Sequence, residues 1–339
     1  MRGRLICVSV LWMGLGAAVL LPAQGQQGLP LRVSLNVNVS NLPLMIALEE
    51  GIYQKNGLEV KQFVPPDTAE EVKAYGVIVP AQYISPEGGR LPLAEGNGFS
   101  SIYTRATNAS APLDRVIIAT VEPVLRYHVV VQPEITRMEE LKGKRLGVTS
   151  MGGSSSFAAL VVAQRMGWDP VLDVAILANG VSLAALKNRR VDAILCSEFR
   201  YAMLTAAGYK SVLDTSSWKV PMPGSGWVTT RSWLRDNHET ARRFIRSLVE
   251  GTAVMKQDKQ KTLRTMTKWW GLTDAKRLEE LYAAALELPS KPYPAVDGIR
   301  KAMELYPSSE TRKFKLEEFY DDSFVRELDQ SGFIDGLYK

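Results

Sequence analysis

Two rhythms of apolar and polar residues alternate along this chain. Over 31–36 ("LRVSLN") every second position is apolar, the period of a half-buried strand. Ser40, Asn41, Leu42 and Pro43 then supply a capping side chain and an early proline. Leu44, Ala47 and Leu48 share one helical face before Gly51 stops the helix, and 57–64 ("GLEVKQFV") reads as a second strand. A strand, a helix and another strand in so short a span form a βαβ unit, which demands a parallel sheet.

The rhythm breaks over 62–99, where five prolines (Pro65, Pro66, Pro80, Pro86, Pro92) and five glycines leave no regular element to place. A helix starts near Ser100 and a strand follows over 116–121. A second alternating series then runs through strands at 128–132 and 145–149 and a helix carrying Phe157, Leu160 and Val161 that Gly167 ends. It continues with a strand at 174–177, a helix over 183–188 and a strand at 193–196. At 218–230 two prolines and two glycines precede another apolar strand, as at a crossing between domains, and from Ser232 the chain is nearly all helix, including 237–255 and 276–287. The expectation is an α/β protein of two lobes, each a mainly parallel sheet flanked by helices. The first lobe is discontinuous, over 26–126 and 223–339, and the second is 127–222.

The residues before this pattern read differently. A basic start at Arg2 and Arg4, an apolar run over 5–21 and small residues at Ala23 and Gly25 predict an export signal over 1–25, cleaved near Gly25. An apolar run of about 17 residues is at the short limit for a membrane anchor, the alternative reading. Loss of Arg2 and Arg4 takes the net charge from +5 to +3, too small a bias to predict nucleic acid as a partner. Cys7 lies inside the signal, so Cys196 remains alone and no intramolecular disulfide is expected.

The stretch 145–160, "RLGVTSMGGSSSFAAL", carries the most distinctive chemistry. A phosphate-binding Walker loop needs a Lys-Ser/Thr pair, and Phe157 follows Ser156. A serine elbow needs Gly-x-Ser-x-Gly and a base; the second glycine is missing, and His128 and His238 are the chain's two histidines. What remains is a helix N-terminus with free N–H groups and three hydroxyls, a seat for an anion or else a plain helix cap. Asn38, Ser40 and Asn41 after the first strand, and Asn97, Ser100 and Ser101 before a later helix, form similar polar turns. In doubly wound sheets ligands bind at such turns, outside the carboxyl ends of the strands.

Three segments carry a family resemblance: "LPLMIALEEGIYQKNGLEV" (42–60), "LKGKRLGVTSMGGSSSFAALVVAQRMGWDP" (141–170) and "LAALKNRRVDAILCSEF" (183–199). With them the chain resembles the periplasmic solute-binding proteins of the nitrate, sulfonate and taurine type of ABC importer, a family that includes binders of thiamine-pyrimidine precursors. The resemblance implies the type II periplasmic binding fold, with two strands joining the lobes near 122–127 and 221–227. It implies a periplasmic monomer that closes on a small-molecule ligand and docks on an ABC permease in the inner membrane, without catalytic residue, metal or cofactor. By position, the pocket falls on Asn38, Ser40, Asn41, Ser100 and Ser101 in the first lobe. In the second it falls on Thr149, Ser154, Ser155, Ser156 and Glu198, with Trp227 either lining the cleft or packing at the lobe junction.

The chain departs from the family over 62–99, which shows neither the expected helix nor an Ala-Leu-x-x-Gly-x-x-Asp-Phe strand before "AEGNGFSS" resumes the pattern. A variant loop and a local reading-frame disturbance are both compatible with this. Two other functions stay open beside transport. One is a thiamine-pyrimidine-synthase-like enzyme, which the resemblance would equip with a pyridoxal phosphate lysine, a histidine and a cysteine-rich iron motif. The other is an exported sensor that presents its ligand state to a membrane kinase. The solute itself is expected to be a small anion or a heterocycle, of the sulfonate, nitrate, taurine or pyrimidine kind.

Overall fold

A computed structural model describes residues 28–86, 91–108, 114–306, 309 and 311–339. The predicted signal over 1–25, with Cys7 and the cleavage point near Gly25, lies outside the described residues. Strand β1 (Leu29–Ser34) buries Leu31 and Val33 and pairs in parallel with β2 (Leu58–Phe63), Leu29 opposite Leu58. Helix α1 (Leu42–Glu49) and the single turn α2 (Ile52–Lys55) make the crossover. Asn38, and not Asn41, supplies the capping side chain at this entrance: its Oδ1 accepts from Asn41 N at 3.1 Å. The one-sided face expected for α1 is instead buried from Leu42 through Ala47, because the helix is covered on its outer side as well.

The segment 62–99 holds the regular elements that its composition concealed. Helix α3 (Pro66–Lys73) opens with Pro66, at the one helical position where a missing N–H is harmless. It buries Ala69 and Val72, and Tyr75, Val77, Val79 and Leu93 continue into the core. Strand β3 (Ala94–Asn97) follows, too short and polar to show an alternating pattern. Helix α4 (Gly98–Thr107) is capped by Asn97, whose Oδ1 accepts from Ser100 N at 2.8 Å, and β4 (Arg115–Thr120) completes this group.

The second group contains β5 (Tyr127–Val131), β6 (Arg145–Gly147), α5 (Ser154–Met166), β7 (Ala175–Leu177), α6 (Leu183–Lys187), β8 (Ala193–Ser197), α7 (Glu198–Ala206) and β9 (Lys210–Asp214). Neither α7 nor β9 was legible as periodicity. Its five strands form one sheet in the order β7-β6-β8-β5-β9; β6 runs parallel to β7 and β8, and β5 antiparallel to β8 and β9. Strand β10 (Ser225–Thr230) returns to the first group and lies between β3 and β4, antiparallel to both. Both antiparallel insertions, β5 and β10, follow a segment that crosses between the groups. The two crossings run side by side, with Leu125 N donating to Val220 O and Met222 N to Pro123 O, each at 2.9 Å.

The rest is helical: α8 (Arg231–Gln257), α9 (Lys259–Trp270), α10 (Ala275–Leu286), α11 (Val296–Leu305), α12 (Ser323–Gln330) and α13 (Phe333–Gly336). Helix α8 begins six residues before the expected 237, across a non-helical Asn237, and it is the outer cover of α1. Among the described residues no helix is long and apolar enough to cross a membrane. The two helices meet at Gly251, where a Cβ would fall 2.1 Å from the Pro43 carbonyl oxygen. Backbone cannot yield as a side chain does, so Gly251→Val is expected to force α8 off α1 and destabilise the protein by about 1–3 kcal/mol, read as a lowered urea midpoint.

Candidate functional site

A cavity of about 540 Å³ opens between the two strand groups. Its first wall is made by the turn after β1 (Asn36, Asn38), by Thr68 and Glu71 of α3 and by Glu95 of β3; Glu122 comes from the first crossing. The facing wall carries Tyr127, the Thr149–Ser150 turn, Gly153 and Ser154 at the start of α5, Ser182, and Phe199 and Arg200 of α7. Most of these lie at strand ends or helix starts, where alternating β and α elements collect their turns.

Glu95 is the best-connected group in the cavity. Its Oε2 accepts from Asn36 N at 3.1 Å, Asn36 Nδ2 at 2.9 Å and Asn41 Nδ2 at 2.7 Å, and its Oε1 accepts from Asn38 Nδ2 at 3.3 Å. Burial raises the Glu95 carboxyl above the ordinary carboxylate range; the Asn41, Asn36 and Asn38 donors pull it back and the Glu122 charge adds to the rise. Across the cavity Arg200 forms an ion pair with Glu71, joining α7 of one group to α3 of the other. Burial works against the Arg200 charge, and Glu71 together with Tyr75 outweighs it, so the guanidinium is held above its usual value.

The expected site residues divide. Asn38, Thr149 and Ser154 stand on the cavity wall. Asn41 is buried behind it and reaches the site by holding Glu95. The others do not line it. Ser40 Oγ donates to Asn38 Oδ1 at 2.7 Å, Ser100 Oγ donates to Asn97 O at 2.9 Å, and Ser101 is on the buried side of α4. Ser155 and Ser156 turn inward onto the loop that leads into the helix: Ser155 Oγ accepts from Thr149 N at 2.8 Å, and Ser156 Oγ donates to the Met151 and Gly153 carbonyls. Only Ser154, first in the helix, faces the cavity. Glu198 meets His128 Nε2 at 2.9 Å in a crevice beside the crossings, and Trp227 is packed edge-on against Phe244 at 4.9 Å, the packing alternative.

Sequence reasoning missed Glu71, Glu95, Glu122 and Arg200. Glu71 and Glu95 sit in the unread 62–99 stretch, and Arg200 follows a strand end in a helix with no alternating signal. Among the described residues the cavity wall includes no lysine, histidine or cysteine. His128 stacks on Tyr201 at 3.8 Å, His238 lies against Phe324, and Cys196 is buried in β8, where desolvation pushes its thiol up. Among the described residues no three His, Cys, Asp or Glu side chains are grouped to hold a metal ion.

Residues 97–262, from the end of β3 into α9, match the family described as NMT1/THI5 like. No curated protein matches the sequence. Many solved structures share the fold. The periplasmic nitrate-binding protein NrtA from Synechocystis PCC 6803 is similar with a TM-score of 0.70 at 14% identity, over 90% of this chain and 89% of that one. The alkanesulfonate-binding protein SsuA from Xanthomonas axonopodis pv. citri, bound to MOPS, gives 0.61 at 14%, over 86% and 96%. The desulfurization enzyme DSZB gives 0.58 at 14%, over 88% and 99%. At these identities the likeness establishes the fold, an α/β periplasmic-binding-protein fold as the sequence led us to expect.

The Asn41 amide makes the shortest bond to Glu95. Asn41→Ala is expected to move the Glu95 carboxyl still higher, since a donor to the charged form is lost, and to destabilise the protein by about 1–3 kcal/mol. Carbon-detected NMR titration of the Glu95 carboxyl, with urea unfolding of the same variant, checks both.

Proposed function

We propose that this chain, NMT1/THI5-like over residues 97–262 and folded as a periplasmic binding protein, is the solute-binding component of an ABC-type importer. It captures a small polar solute outside the cytoplasm by closing two lobes, 26–126 with 223–339 and 127–222, and delivers it to a membrane permease. The observation that carries this reading is the cavity itself. It lies between two strand groups connected by two adjacent crossings, Val124 bridging to Pro221, and both groups contribute polar side chains to it. A rotation about paired crossings opens such a cleft without breaking either sheet.

The nitrate- and alkanesulfonate-binding relatives support a binding role, while the desulfurization enzyme on the same fold shows that the fold alone does not decide it. Against a pyridoxal phosphate enzyme stands the cavity wall, which offers no lysine for an imine and no histidine as a base. The hydroxyls and amides present are suited to hydrogen-bonding a solute, not to transforming it.

The Glu71–Arg200 pair is then a contact of the closed state, made across the cleft and lost on opening. Glu71→Gln is expected to shift the ligand-free protein toward the open form, with a larger radius of gyration by small-angle X-ray scattering. The solute-binding reading is tested by thermal shift against nitrate, bicarbonate, taurine, alkyl and aryl sulfonates, aromatic carboxylates, aminopyrimidines and pyridoxal phosphate. A binder at a hundred times its Kd stabilises by about 2.7 kcal/mol and compacts the protein. Binding of pyridoxal phosphate alone would favour the enzyme.

A further inference from the structure

The cavity wall carries four formally charged side chains, Glu71, Glu95, Glu122 and Arg200. Two of them cancel: Arg200 is the single cation, and its guanidinium is already paired with Glu71. Glu95 and Glu122 are left with no positive partner among the described residues, since the groups holding Glu95 are neutral amides and Glu122 makes neither ion pair nor side-chain hydrogen bond. The two carboxyl groups are near enough to feel each other's charge.

The two ends of the cavity therefore differ in kind. At the first-lobe end the Asn36, Asn38 and Asn41 donors fix the Glu95 carboxylate before any solute arrives. Three donors crowd Oε2, while Oε1 takes one long bond and retains acceptor capacity. At the second-lobe end no acid is present. The thirteen-residue helix α5 points its N-terminus at the cavity through Gly153 and Ser154, flanked by the Thr149, Ser150 and Ser182 hydroxyls.

We propose that the solute is bipolar, with an amino, ammonium or amidine N–H group seated at Glu95 and Glu122 and a hydrogen-bond acceptor or anionic group seated at the N-terminus of α5. This rests on the reading of the cavity as a solute site and narrows it. A simple anion such as nitrate would satisfy the α5 end and leave two carboxylates without a partner in a closed cleft. An amino group supplies the missing donors. Glu95 and Glu122 are thereby the residues that set specificity, and Arg200, neutralised by Glu71, is not the anion ligand that its charge alone would propose.

The test uses compounds that differ by one amino group: taurine with ethanesulfonate, β-alanine with propionate, and 4-aminopyrimidine with pyrimidine, each titrated calorimetrically into the purified protein. In at least one pair the amino member is expected to bind about tenfold tighter or more, and Glu95→Gln and Glu122→Gln are each expected to abolish most of that preference. Glu122 has no side-chain partners, so Glu122→Gln keeps the test open if Glu95→Gln, facing three asparagine donors, does not fold.

The proposal is overturned if the amino-free members bind as tightly, if both variants keep the preference, or if none of the six compounds binds. Nitrate or methanesulfonate binding with compaction in the last case would retain the solute-binding reading and remove only this one. Silence from these anions as well would remove both.

Discussion

One carboxylate links two strand ladders that the backbone leaves separate. Strands β1 and β2 form one ladder and β3, β10 and β4 another, and no ladder joins β1 to β3. The gap is closed by a side chain: Glu95 of β3 accepts from the backbone N–H of Asn36, just beyond β1, and from the amides of Asn36, Asn38 and Asn41 on the turn that follows. A charge-assisted acceptor with four donors replaces the main-chain bonds that a continuous sheet would have supplied. Because the donors are neutral, the carboxylate remains uncompensated in charge, which a salt bridge at the same place would not allow. The side chain that ties the two ladders to each other also gives the cavity its polarity.

The position of α3 follows from that arrangement. Val72, Tyr75, Val77 and Val79 anchor the helix and its exit in the core shared with α1 and α8, which leaves Glu71 on the cavity side. There it meets Arg200 at the start of α7, a helix that begins directly at the end of β8. Each partner stands in a different strand group, so the pair stabilises only the conformation in which the groups are close. Partly exposed ion pairs contribute modestly, about 1 kcal/mol or less.

The alternating series in 116–196 was legible because β4, β5 and β8 are buried on both faces and read as apolar runs. Strand and helix boundaries there differ from the expected ones by a residue or two. The failures share a cause. β3 is a four-residue strand of "AEGN", α3 begins with a proline pair that reads as a breaker, and β9 is only half-buried; none leaves a periodic trace. The serine turn misled in the opposite direction. Three hydroxyls in a row looked like three ligands, but Ser155 and Ser156 are taken up by backbone of the preceding loop, Thr149 N and the Gly153 carbonyl. Composition reports which groups are present at a turn, while their direction is set by helix geometry, one residue in three or so facing outward.

The departure over 62–99 looks different once its side chains are placed. A frame-disturbed peptide has no reason to combine a helix-opening proline, apolar residues at core positions and a carboxylate opposite three asparagine donors. Yet Pro66, Val72, Tyr75, Leu93 and Glu95 each agree with the surrounding lobe. Agreement between local sequence and distant packing at several independent positions is what a sequence selected for its fold provides. The donors to Glu95 lie more than fifty residues upstream, outside any local disturbance, so the match between the two stretches belongs to the lobe as a whole. These placements favour the variant reading of the segment over a disturbed frame.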